Sequence, residues 1–189
     1  MIVPEEHSKV GRRFIAGTRR DTSLGAVSPI GTTERGGSEM ANTYYSLTIH
    51  YVFSTIRREP VITQELRDRL WSFMGGVLRQ NKMKALCIGG AADHVHLLVS
   101  LPTTMSVAKA VQLVKGNSSK WVHDTFPSQS GFEWQKGYAA FSVSASHISQ
   151  TMSYIKNQTE HHRTKTFMDE YLSFLKKHQI DYDKRYLWL

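Results

Sequence analysis

A four-stranded antiparallel sheet with helices on one face, an α+β fold, is what this 189-residue chain predicts. Three observations carry the prediction. Segments such as HVHLLVS alternate polar and apolar residues with period two, as a half-buried strand does. Two longer segments place apolar residues at helical spacing behind a Thr or Ser cap. The elements follow in the order strand, helix, strand, strand, helix, strand, and a further helix comes after the sheet is complete.

The first strand is read from Tyr44 to Ser54, with Tyr45, Leu47, Ile49, Tyr51 and Phe53 on one face and Tyr44, Ser46, Thr48, His50 and Ser54 on the other. Thr63 caps a helix to about Asn81 whose buried stripe is Leu66, Leu70, Phe73, Val77 and Leu78. Strands near Lys84–Gly90 and His94–Leu101 follow, joined by a short small-residue turn. Ser106 caps a second helix to about Asp124, ahead of Pro127. A last strand spans about Gly137–Ser144, which completes a ferredoxin-like, RRM-like βαββαβ unit with both helices on one sheet face. His50, His94 and His96 then fall on the other, open face.

After the sheet, ASHISQTMSYIKNQTEHHRTK reads as one helix with Ser146 as its cap. Ile148, Met152 and Ile155 form its apolar stripe, while Gln150, Tyr154, Gln158, His161 and Lys165 form a polar face. A shorter helix near Thr166–His178 and an aromatic tail (Tyr182, Tyr186, Trp188) close the chain, and packing against the body is the reading of that tail.

Chemistry concentrates at His94 and His96. Alternation puts both imidazoles on one strand face, spaced to hold one metal ion, and neutral imidazole offers a lone pair at neutral pH. Such a pair is also compatible with solvated surface histidines, as Tyr154 is with an exposed surface tyrosine. The sequence TIHYVFST, then DHVHLLVSL, VKGNSSKW, WQKGYAAFSVS, and YIKNQTEHH followed by DYDKRYLW, occur in that order from about Ala41 to Leu189. In this the chain resembles the small single-tyrosine HUH transposases of prokaryotic insertion sequences, named for a His-hydrophobic-His motif. The resemblance implies that His94, His96 and Gln158 bind a divalent metal and that Tyr154 attacks a DNA phosphate. It also implies single-stranded, hairpin-bearing element ends as substrate, and a homodimer with composite sites. Two rivals remain on the same residues: a host-adapted relative that processes palindromes, and a non-catalytic binder of single-stranded nucleic acid.

A tyrosine suits the task. Exchange of one phosphoester for another keeps the bond energy without a nucleotide cofactor, and the chain has no G-x-x-x-x-G-K-[ST] loop. Ionising a phenol of pKa about 10 near pH 7.5 costs about 3.4 kcal/mol, part of which a divalent cation offsets. Imidazole suits Mn²⁺ better than Mg²⁺, whereas cellular abundance favours Mg²⁺.

Composition agrees. Net charge is +8, and residues 1–39 contribute only one positive charge of it, so the folded part is basic and fits a polyanionic partner. Candidates for DNA contact are His50, Arg57, Arg58, Lys115, Lys120, Lys136, Lys156 and Lys165. No apolar run suits a membrane span, the N-terminus lacks the apolar core of a secretory signal, and Cys87 is alone, so a reducing cytoplasm is expected. Residues 1–39 hold 6 of 13 glycines and no periodicity. They read as a disordered extension ahead of a working domain at 40–189.

Overall fold

The computed structural model describes residues 44–164, 166–183 and 187, so the expectations for residues 1–39, Lys165, Tyr186 and Trp188 lie outside the described residues. Strands β1 (Thr48–Ser54), β2 (Lys84–Gly90), β3 (His94–Ser100) and β4 (Ala139–Ser142) form one sheet in the order β2-β3-β1-β4. Every pairing is antiparallel. Helices α1 (Gln64–Gln80) and α2 (Val107–Thr125) fall where period and caps predict, with Thr63 Oγ1 accepting from the Leu66 amide and Ser106 Oγ from that of Lys109. β1 starts later than expected, and Tyr44, Tyr45 and Leu47 ahead of it are exposed.

Alternation along the strands builds two different layers. Tyr51, Phe53, Val95, Leu97 and Val99 point toward α1 and α2 and meet Leu66, Leu70, Met74, Val111 and Val114 in the main core. Each such side chain contributes about 1.5–3 kcal/mol by leaving water. Phe73, expected in the α1 stripe, is half-buried and stacks on Trp121 at 4.8 Å, and Met74 takes the core position instead.

The opposite face is the first correction: it is covered. α3 (Ile148–Lys156), α4 (Gln158–His161) and α5 (Phe167–Lys177) follow the sheet in sequence. Ile155 of α3 packs on Cys87 and Leu98. Phe167, Tyr171 and Leu175 of α5 pack on Val52, Ala139 and Phe141. The stripe Phe167, Tyr171, Phe174, Leu175 supplies the apolar area that closes this layer.

The expected single helix is also broken. A 3-10 turn at Ala145–His147 precedes α3, and Ser146 makes side-chain bonds to Ser144 and His147 rather than capping a helix. The chain leaves α3 at Asn157 (φ −95°, ψ 18°) before α4 begins. Asparagine competes for backbone hydrogen bonds and favours such an exit. Two glycines then let the layers close. Gly90 (φ 157°) turns β2 into β3 where a Cβ would meet the His94 carbonyl, and a Cβ on Gly89 would lie 2.5 Å from the Ile155 carbonyl oxygen.

Candidate metal and nucleophile site

β3 carries both histidines into the layer beneath α3–α5, and both are fully buried. His94 Nδ1 lies 2.7 Å from Asp93 Oδ1 and donates to it, which leaves Nε2 as a lone pair. That Nε2 is 3.4 Å from Gln158 Oε1 and 3.1 Å from His162 Nε2. Burial pushes the Asp93 carboxyl up, but its hydrogen bond to His94, with the charges of His94 and Arg58, brings it below its ordinary value. Arg58 Nε stands 3.5 Å from Asp93 Oδ2. Arg57 and Arg58 both adopt positive φ (51° and 59°) in the turn that presents Arg58 to this carboxylate, a strained backbone beside a buried polar cluster. Phe167 stacks on the His94 ring at 4.2 Å and fixes its plane.

His96 is supported by another histidine. Its Nδ1 is 2.9 Å from His50 Nε2. When His96 Nδ1 donates in that bond, His96 Nε2 presents a lone pair toward Glu170 Oε2, 3.6 Å away. Burial holds both imidazoles neutral: His50 is lowered to about 4 by burial and by His178, and His96 well below its ordinary value by burial and the histidines around it.

Glu170 of α5 is the acidic member. Its Oε1 accepts from Gln158 Nε2 at 2.8 Å, and its Oε2 lies 3.5 Å from His162 Nε2. Burial, with the charge of Asp93, raises its carboxyl to about 8. Glu170 Oε2 and His96 Nε2 are buried with no hydrogen-bond partner. Ligand atoms of His94, His162 and Glu170 all lie within 4.8 Å of one another. Two ligands each about 2.1 Å from one ion can be at most about 4.2 Å apart. Side-chain shifts of a few tenths of an ångström therefore close this set around a cation, and the two orphaned atoms face the same space. The donor set fits a divalent metal.

Tyr154 reaches the same place from α3. Its ring lies 5.8 Å from that of His96 and 5.1 Å from that of His161, both edge-on. It is half-buried rather than exposed, and its hydroxyl is buried without a hydrogen-bond partner. Buried hydroxyls are ordinarily paired, so this one stands out within the layer.

Of the residues expected from sequence, the structure brings His94, His96, Gln158 and Tyr154 together. It does not leave His50 on an open face for DNA; His50 is buried against His96. Lys115 is likewise engaged, donating to the carbonyls of Gln135, Lys136 and Gly137 at 2.5, 3.1 and 2.9 Å. Lys120 is exposed and paired with Asp124 at 2.8 Å, Arg57 is exposed beside Glu59, and Lys136 and Lys156 are exposed. Sequence reasoning missed His162 and Glu170. A signal for Glu170 exists: a carboxylate three residues after Phe167 falls inside an apolar helical stripe, where an unpartnered charge is costly.

A family model described as "Transposase IS200 like" matches residues 43–158. The ISDra2 transposase TnpA of Deinococcus radiodurans is 26% identical over 119 residues, covering 60% of this chain and 85% of that protein. The transposase for insertion sequence element IS200 of Salmonella typhimurium is 27% identical over 126 residues, covering 64% of this chain and 82% of that one. A crystal structure assigned to a transposase from Deinococcus radiodurans aligns with a TM-score of 0.52 at 26% identity, over 61% of this chain and 93% of that chain. Helix α5, with Glu170, lies beyond the residues that the family model matches.

Proposed function

We propose that this chain, which belongs to the IS200-like transposase family, performs DNA transposition by cutting and rejoining single-stranded DNA through Tyr154. A DNA-processing enzyme on an α+β fold is the premise; the proposal concerns how its residues act. The observation that carries it is the unpartnered, buried Tyr154 hydroxyl next to the His94, His96, Gln158 and Glu170 cluster.

The Tyr154 oxygen attacks phosphorus while the bond from phosphorus to the 3′-oxygen breaks. The phenol gives up its proton, and the departing 3′-oxygen takes one up. The products are a 5′-phosphotyrosine ester and a free 3′-hydroxyl. Attack by another strand's 3′-hydroxyl reverses the exchange and releases Tyr154. His94 and His96 would hold a divalent ion, Mg²⁺ or Mn²⁺, with Gln158, Glu170 and His162 as the further donors. Bound there, the ion supplies positive charge to the phosphoryl oxygen as negative charge develops. Asp93 and His50 keep the two ring nitrogens aimed inward, and α3 sets the distance from the tyrosine to the ion site.

The same reading takes the hairpin-bearing ends of the chain's own element as substrate, a homodimer as the working unit and the cytoplasm as its place. Among the described residues no helix is long and apolar enough to cross a membrane. Residues 1–39 act as an extension outside the working domain. The test is incubation with labelled single-stranded end DNA and Mn²⁺ or Mg²⁺, followed by denaturing electrophoresis. An adduct that disappears in Tyr154→Phe and in EDTA is expected. An adduct that persists in Tyr154→Phe would give the nucleophile's role to another residue.

A further inference from the structure

A cavity of about 480 Å³ opens beside Tyr154, bordered on its inner side by His50, His161 and Glu170 and on its outer side by residues with no role in the chemistry above. Its size is that of a small-molecule site. Ser144 after β4, His147 and Gln150 at the start of α3, and Phe174 and Lys177 of α5 line it along with Tyr154. Its walls differ in chemistry. Phe174 is half-buried and offers a ring; Ser144, His147 and Gln150 are exposed and offer donors and acceptors; Lys177 is an exposed ammonium. Gln150 and Tyr154 are one helical turn apart on the same face of α3. A phosphate presented to Tyr154 therefore brings its attached nucleoside within reach of Gln150.

A flat ring to stack on, amide and imidazole groups for a polar edge, and a cation for a backbone phosphate together match one unpaired nucleotide. A base already paired in a duplex has its polar edge occupied and cannot use the amide. We propose that this cavity takes the unpaired nucleotide attached to the scissile phosphate, stacking its base near Phe174 and reading its edge through Gln150 and His147. The proposal rests on the reading of Tyr154 as the nucleophile. It adds a specificity site whose second wall, α5, lies outside the family-matched residues 43–158.

The experiment measures single-turnover adduct formation on the single-stranded end DNA that gives the adduct, and on two copies with an abasic position immediately 5′ or 3′ of the cleaved bond. Each DNA is tested with the wild-type chain and with His147→Ala/Gln150→Ala, whose two sites are exposed and tolerate truncation. One abasic DNA is expected to react about tenfold more slowly than intact DNA with the wild type, the scale of one lost base contact. In the variant that penalty should shrink to the part that stacking near Phe174 contributes, because the polar contacts that read the base edge are already gone. An equal penalty in both proteins, or no penalty at either position, overturns the pocket while Tyr154 keeps its role. No adduct from the wild type on intact DNA would overturn the Tyr154 reading and the pocket with it.

Discussion

Gly89→Ala displaces the proposed nucleophile without altering any polar group of the site. The new methyl would stand 2.5 Å from the Ile155 carbonyl oxygen and 2.8 Å from Ile155 Cγ2. Ordinary van der Waals contact begins near 3.4 Å, so α3 has to retreat by about 0.9 Å from β2. Ile155 adjoins Tyr154 in the chain, and the retreat is passed to the phenol. Overpacking of this kind costs about 1–3 kcal/mol of stability. A reacting group misplaced by about 1 Å can lose about 100-fold in rate. Single-turnover adduct formation should therefore fall by about that factor, with a modest drop in melting temperature and Mn²⁺ binding retained. Gly76→Ala is the control: it sits within α1 with nothing near its added methyl, and should be neutral or stabilising. Trimming Ile155 to Ala in the Gly89→Ala background should not restore the rate, because the closest clash is with backbone. A Gly89→Ala chain that cleaves at the wild-type rate would refute the claim that α3 seats Tyr154 through this contact.

Three further outcomes are expected. In EDTA, the raised Glu170 carboxyl binds its proton more tightly in the folded chain than in the unfolded one, so its contribution to stability declines as pH rises from 4.5 toward about 8. Glu170→Gln should flatten that slope in denaturation curves and also shrink the thermal shift that Mn²⁺ gives the wild type; an unchanged Mn²⁺ shift would remove Glu170 from the ligand set. His50→Ala leaves His96 Nδ1 without its partner and should weaken Mn²⁺ affinity about 10- to 100-fold by competition titration, with His50→Gln recovering part of the loss. Lys115→Met removes three bonds from an ammonium to loop carbonyls and should lower unfolding free energy by about 2 kcal/mol, while the salt dependence of DNA binding stays the same; a slope reduced by about one would instead mark a phosphate contact.

How much of this was legible in the sequence differs between the two sheet faces. The α1–α2 face follows from period alone, because Val95, Leu97 and Val99 and the stripes of Leu66, Leu70 and Val114 have only one apolar solution. The other face follows from pattern only in part. Alternation put His94 and His96 side by side, but it could not show that α5 would bury them, since that depends on a docking angle set by Phe167, Tyr171 and Leu175. The exit at Asn157 was invisible to helical counting, which carries Gln158 on along the same face as Tyr154. The turn instead lets Gln158 bridge His94 and Glu170 from its own short helix. Local propensity proposes an element, and tertiary packing decides where it ends.

The burial of this polar layer also says what kind of site it is. His50, His94, His96, Gln158 and Glu170 are all at most 2% exposed, in a layer where each unpaired polar group costs about 1–3 kcal/mol. Hydrogen bonds with Asp93, His50 and Gln158 satisfy the outward-facing atoms of the cluster. What they leave unsatisfied is on the inside: His96 Nε2, Glu170 Oε2 and the Tyr154 hydroxyl. Arg67 Nε on α1, in the other layer, is likewise buried without a hydrogen-bond partner. The three on the inside of this layer come from β3, α3 and α5, and that shared position is what the proposed metal and nucleophile roles draw on. The arrangement also explains why the layer needs helices from beyond the sheet: a surface pair of histidines would keep its water, whereas a covered pair exchanges that water for fixed donors aimed at one point.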